Sequence, residues 1–184
     1  IFLAPDKFKG SLTCFEAGKA IEKGLEESGR NDEIYHFPMA DGGDGFASVM
    51  QYYLQAETIS CKTFGPLGRP INGTYQWVEH TKTAIVELAV ASGIALLKKE
   101  ELNPLITSTY GTGLIVQEAI KKGEKKIILG IGGSATNDAG IGIVSTLGYD
   151  FLDATNQKIT PVGGNLSKIK KIIVPALFPA VGWQ

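Results

Sequence analysis

Histidine and cysteine are scarce in this sequence, with two of each among 184 residues. Cys14 falls in a helix-patterned segment and Cys61 in a strand-patterned one, which excludes a disulfide framework and a thiolate metal site. Buried, reduced thiols in a cytoplasmic protein are the expectation. His36 lies inside an apolar run and His80 in a turn, and neither has a partner at metal-ligand or catalytic-triad spacing, so both read as structural. An excess of either charge is also missing: 18 Lys and Arg stand against 19 Asp and Glu, for a net charge of −1. The lysine pairs at 98–99, 121–122 and 125–126 read as solvated helix ends and turns. Neither nucleic acid nor an anionic membrane is therefore expected as a partner. No segment approaches the roughly 18 apolar residues that span a bilayer, and no signal peptide is visible. An initiating methionine is lacking as well. The chain opens at Ile1 within a strand pattern and stops at Trp183-Gln184 after an apolar stretch, so a longer natural protein is expected.

What is present fits an ordinary globular protein, with 43% hydrophobic and 20% charged residues. The length suits one good-sized domain or two small ones. Glycine is abundant, at 23 residues, and it clusters at 42–45, 65–73, 111–113, 130–142 and 163–164. Clustered glycine signals specific backbone shapes, in contrast to a flexible linker.

Ile1 to Pro5 reads as a buried parallel strand, followed by the loop Asp6 to Ser11. Thr13 and Glu16 form a capping-box signature for a helix that Gly29 ends. Glu33 to Met39 is a second strand, Ala40 to Gly45 a loop, and Phe46 to Leu54 a second helix, the unit of an α/β fold. Near residue 57 the pattern changes. Thr58 to Phe64 reads as a strand and Gly65 to Gly73 as a turn-rich stretch. Thr74–Glu79 and Thr83–Leu88 alternate as an antiparallel pair about His80-Thr81-Lys82. A helix from about 113 to 122, a strand at 126–130, a helix through Leu147 and a strand at 149–152 follow, ending in a polar turn at 153–156. A second subdomain is expected from residue 57. Trp77 and Trp183 are expected in a core or an interface.

Four segments could carry chemistry. In the run from Gly130 to Gly142, Gly132, Gly133, Ser134, Ala135, Thr136 and Asn137 stand between a strand and a helix. Small residues let successive amides turn toward one point, and a helix start adds positive potential, a pattern suited to phosphate or carboxylate. Asp138 could ligate magnesium or accept a proton. A tight strand-to-helix turn with Asn137 or Asp138 as N-cap is the structural alternative. The run is neither a Walker A loop nor a dinucleotide fingerprint. The second segment, Asp41-Gly42-Gly43-Asp44-Gly45, follows a strand at the edge where open α/β sheets place ligands. The third holds Lys9 and Ser11, the fourth Thr109, Gly111 and Thr112 at a helix start.

APDKFKGSLT at 4–13, PMADGGDG at 38–45, VELAVASGIALL at 86–97, NPLITSTYGTG at 103–113, GIGGSATNDAGIG at 130–142 and LGYDFLD at 147–153 occur in this order. The series closely resembles the bacterial glycerate kinase family, type 1. Lys7 stands where the family usually has serine, which favours Lys9 as the catalytic cation. Asp44 keeps the carboxylate of a usual glutamate, Phe46 replaces a threonine and Ala139 a glycine. Family members run to roughly twice this length, as two domains require.

The resemblance implies two α/β domains: a flavodoxin-like, doubly wound domain with a mixed α/β domain inserted after its second strand. Residues 1–56 would belong to the first, and residues 57–184, with the GGSATND loop, to the second. It implies transfer of the ATP γ-phosphate to a hydroxyl of D-glycerate, with Mg²⁺ as cofactor. Lys9, Asp41, Asp44 and Asp138 are the catalytic candidates, and Asp41 and Asp138 the metal candidates. Ser11, Gly42, Gly43, Thr109, Gly111, Thr112, Gly132, Gly133, Ser134, Ala135, Thr136 and Asn137 are candidates for substrate or phosphate. Two alternatives stay open: a kinase or phosphatase for another small hydroxy acid, and a non-catalytic anion-binding module. A homo-oligomer is left open too.

Overall fold

A computed structural model describes residues 1–176 of the chain, so Trp183 lies outside the described residues. Strand β1 (Phe2–Leu3) pairs in parallel with β2 (Tyr35–His36). Each strand has two residues, shorter than the apolar runs suggested. Backbone bonds nevertheless continue the pairing along both expected segments, from Tyr35 N–H to Ile1 O (2.9 Å) through Met39 N–H to Pro5 O (3.0 Å). Between them runs helix α1 (Cys14–Glu27). Its capping box is formed as expected: Glu16 N–H donates to Thr13 Oγ1 (3.2 Å) and Thr13 N–H to Glu16 Oε2 (2.8 Å). Cys14, Ala17 and Gly18 are its buried face. His36 sits against Gly18 and pairs with Glu22 at 3.1 Å, a structural role.

Helix α2 (Phe46–Leu54) leads to a four-stranded sheet in the order β3 (Glu57–Phe64), β4 (Pro70–Val78), β5 (Thr83–Glu87), β6 (Lys126–Gly130). The first three strands are antiparallel and β6 is parallel to β5. The stretch expected as one long turn therefore contains the start of β4. The connection from β5 to β6 is a crossover carrying the short helix α3 (Ala89–Ser92) and helix α4 (Tyr110–Lys122). Residues alternate across the sheet. Ala84 and Val86 join Tyr75, Trp77, Ile115, Val116 and Ala119 beneath α4, while Ile85 joins Val78, Ala56, Phe46 and Met50 beneath α2. Covered on both sides, all five residues of β5 are buried, including Glu87. Fully burying Ile85 or Ile115 contributes roughly 2–3 kcal/mol each.

Helix α4 starts at Tyr110, three residues ahead of the expected position, because Gly111 and Gly113 let its first turn press on Phe64 and Ile143. Helix α5 (Ile141–Thr146) is short, and the glycine run before it is irregular, with turns at 132–133 and 139–140. Strand β7 (Asp150–Leu152) pairs with β8 (Lys171–Ile173), the latter not foreseen. The polar turn between them is closed by Asp153 Oδ1, which accepts from Thr155 N–H (2.8 Å) and Gln157 N–H (3.0 Å). Both cysteines are free; Cys14 is buried as expected, whereas Cys61 is half-buried. The chain is thus mixed α/β.

Candidate active site

The parallel strands β5 and β6 end side by side at the register pair Glu87 and Gly130. Two loops meet above these ends. Gly132 N–H donates to Gly42 O at 2.9 Å. A β-carbon at position 132 would lie 2.6 Å from Gly43 Cα, so only glycine permits this approach. At Gly133, φ is +69° and a β-carbon would lie 2.5 Å from Asp44 Oδ1. The sequence clusters at 41–45 and 130–133, 90 residues apart, are thereby one structure, joined backbone to backbone.

Glu87 holds the first loop from below. Its Oε1 accepts from Gly45 N–H (3.1 Å) and its Oε2 from Ala47 N–H (2.9 Å), so a carboxylate from the central strand caps helix α2. Burial raises the Glu87 pKa; the Ala47 and Gly45 amides oppose this, and the charge of Asp44 adds to it. Asp41 is held from the side. Its Oδ1 accepts from Gly43 N–H (2.9 Å) and from Lys7 Nζ (3.1 Å). The Gly43 amide and then Lys7 hold this carboxyl below its usual range. Burial would lower the Lys7 pKa, but the hydrogen bond and charge of Asp41 outweigh it and leave the ammonium above its ordinary value. Asp44 has no hydrogen-bond or ion-pair partner among the described residues, and it lines an open cleft of about 310 Å³ with Lys7, Lys9, Ser11 and Gly45. Lys9 and Ser11 stand on the tight turn closed by Phe8 N–H to Leu12 O (2.8 Å), where both are exposed.

Behind the glycine run lies a second, buried network. Asp138 is 1% exposed. Its Oδ2 accepts from Thr109 N–H (2.8 Å), Thr109 Oγ1 (2.8 Å) and Gly142 N–H (3.3 Å), and its Oδ1 accepts from Gly140 N–H (3.1 Å). Three bonds converge on Oδ2 and one on Oδ1, so protein donors hold the carboxylate through both oxygens. Thr112 Oγ1 bonds Ser92 Oγ (2.7 Å), and Gly111 O accepts from Thr63 Oγ1 (2.6 Å). Thr109, Gly111, Thr112 and Asp138 therefore brace the loop from behind and do not line the cleft. The helix-start contribution expected for anion binding is altered as well, because Asp138 already occupies the first amides of α5 and Glu87 those of α2. Within the run the Gly132, Ala135 and Thr136 amides are bonded too, which leaves its remaining amides and the lysines for an anion.

The remaining polar residues of the run stay outward. Ser134 and Asn137 are exposed and Thr136 half-exposed. Ser134 Oγ bonds Thr136 Oγ1 (2.8 Å) and accepts from Thr136 N–H (3.0 Å). Ala135 is pinned to the crossover by its N–H to Ser92 O (2.9 Å), and Gly133 O is held there by Ile94 N–H (2.8 Å).

Two residues of this site, Lys7 and Glu87, stand outside the set expected from sequence. Glu87 left a signal, the lone charge in the apolar stretch Ala84–Leu88. For Lys7 the signal was the departure from the family pattern, which pointed away from it.

The glycerate kinase family model matches residues 1–182. The chain belongs to the glycerate kinase family. It is 41% identical over 181 residues to a glycerate kinase of Halalkalibacterium halodurans, covering 98% of this chain and 48% of that protein. It is 39% identical over 179 residues to the glycerate 2-kinase of Escherichia coli K12, covering 97% and 47%. A crystal structure of a candidate glycerate kinase 2 from Salmonella typhimurium LT2 superposes with a TM-score of 0.76 at 36% identity, over 93% of this chain and 46% of that one. The chain spans about half the length of the curated relatives it matches. Among the described residues, no helix is long and apolar enough to cross a membrane.

Proposed function

We propose that this chain provides the phosphate-handling loops of an enzyme that transfers the ATP γ-phosphate to a hydroxyl of D-glycerate. One observation carries the reading: the Asp41–Gly45 and Gly130–Gly133 loops are locked together at the ends of two parallel strands, beside a cleft holding Lys7, Lys9 and Asp44. A glycine backbone that lets ligand atoms approach closely and a nearby ammonium suit phosphate oxygens. In phosphoryl transfer, positioning and charge neutralisation supply most of the rate. Ser134, Thr136 and Asn137 supply outward polar groups for glycerate or phosphate oxygens. The division of the chain near residue 57 belongs to the same reading, with α2 as the element of the first part that packs on the sheet of the second.

The described residues contain no cluster of three His, Cys, Asp or Glu side chains that would hold a metal. Mg²⁺ needs only one or two carboxylates when nucleotide phosphates complete its shell. Asp44, which makes no hydrogen bond or ion pair among the described residues and lines the cleft, fits that part. Asp138, buried and bonded through both oxygens, does not, and we assign it to positioning the loop. Bound there, Mg²⁺ would neutralise charge on the phosphate oxygens. Free thiols and ATP use both suit the cytoplasm.

The test is ADP release by the full-length protein with Mg²⁺, ATP and a panel of small hydroxy acids. Turnover selective for D-glycerate is expected. Selectivity for a different acid, or ATP binding without turnover, would replace the glycerate assignment.

A further inference from the structure

Lys7 is the cation that the fold carries to the loop junction. Its side chain is 20% exposed and its Nζ lies 3.1 Å from Asp41 Oδ1. A β-carbon at Gly43 would sit 3.2 Å from that nitrogen and 3.7 Å from Gly133 N. The ammonium therefore rests against the bend that touches the glycine run. Asp6 and Asp44 add their field to that of Asp41. Lys9, two residues on, is exposed on the turn.

We propose that Lys7 is the catalytic cation of the phosphoryl site and that Asp41 is a positioning residue acting through it. Asp41 is 67% exposed, so the pair adds little to stability. Its consequence is geometric: it fixes the end of a flexible side chain beside the loop amides. An ammonium has three donors; Asp41 takes one, and two remain for phosphate oxygens. During transfer the acceptor hydroxyl oxygen bonds to phosphorus as the bond from phosphorus to the ADP oxygen breaks. ADP leaves with that electron pair and the hydroxyl proton passes to solvent. Lys7 stabilises the charge spread over the phosphoryl oxygens in between.

The proposal rests on the kinase reading above, and a double-mutant cycle separates the two. Lys7→Met, Asp41→Asn and the double variant are made in the full-length protein, with folding checked by circular dichroism. Two quantities are measured: kcat, and the affinity for the Mg²⁺ complex of a non-hydrolysable ATP analogue. Lys7→Met is expected to lower kcat by at least about tenfold and to cost more than Lys9→Met. Asp41→Asn is expected to cost less, the double variant no more than Lys7→Met alone, and Lys7→Arg to recover part of the loss. The Mg²⁺ concentration giving half-maximal rate should not move in Asp41→Asn. Additive losses, or a shifted Mg²⁺ requirement in Asp41→Asn, would make Asp41 a metal ligand and overturn the proposal. So would a Lys7→Met enzyme within about twofold of wild type. If the wild type binds the analogue without phosphorylating glycerate, the glycerate reading fails, and the analogue affinities of the same four proteins still decide the role of Lys7.

Discussion

Replacing Glu87 by alanine removes the carboxylate on which the first turn of α2 hangs. The half-buried Gly45 N–H and the buried Ala47 N–H lose their acceptor. Water reaches the exposed Gly45, so the orphaned Ala47 donor dominates at about 1–3 kcal/mol, part of which is returned because a buried carboxylate no longer has to be desolvated. A net local destabilisation of about 1–2 kcal/mol follows for the Asp41–Gly45 loop and the start of α2. Amide exchange there should accelerate by about 5- to 30-fold, while β3 and β4 keep their protection. Hydrogen–deuterium exchange with mass spectrometry on the full-length protein reads this directly. Exchange within about threefold of wild type across residues 41–50 would refute the capping argument. The pH dependence provides a second check. Burial raises the Glu87 pKa above 4.5, so the folded state holds this proton more tightly than the unfolded chain. Its contribution to stability is present below 4.5 and is lost as pH rises through the raised value. Glu87→Gln should flatten that decline. Asp41 has the opposite sign: with its pKa lowered from 3.8 it contributes above that value and loses the contribution as pH falls, so the two windows do not overlap.

Gly132→Ala should abolish binding of the ATP analogue, since a β-carbon would lie 2.6 Å from the Gly43 backbone; calorimetry showing an unchanged affinity would contradict the loop contact. Asp138→Asn turns an acceptor into a donor facing donated N–H groups, and should cost about 3 kcal/mol of stability and lower kcat at least about tenfold. Denaturant titration and steady-state kinetics check the two parts, and unchanged turnover would remove Asp138 from the positioning role. Thr13→Ala should cost about 1 kcal/mol through the lost cap of α1, measurable by denaturant titration.

The regular elements were largely legible in the sequence where a local signal fixed them. The Thr13–Glu16 capping box, the span of α2 and the strand at 126–130 all stand where hydrophobic period and caps placed them. The start of α4 was missed because Gly111 and Gly113 read as loop residues, whereas their role is to let a helix touch its neighbours. The buried state of Asp138 and Thr109 was not legible either. A Thr and an Asp 29 residues apart look equally suited to a ligand or to each other, and only the fold shows that they bond each other. Glu87 was hidden for a related reason: a strand's last residue is ordinarily at liberty to face water, and the sequence carries no mark that α2 lies across it.

The meeting of Gly42–Gly43 with Gly132 has one further consequence. The two loops touch through main-chain atoms, so their spacing is set by a backbone hydrogen bond and van der Waals contact, with no rotamer between them to adjust. Substitutions outside the seam glycines can change what the cleft prefers to hold, but not the width of this seam. A version of the site for a bulkier acceptor would have to be reached by inserting or deleting residues in one of the two loops.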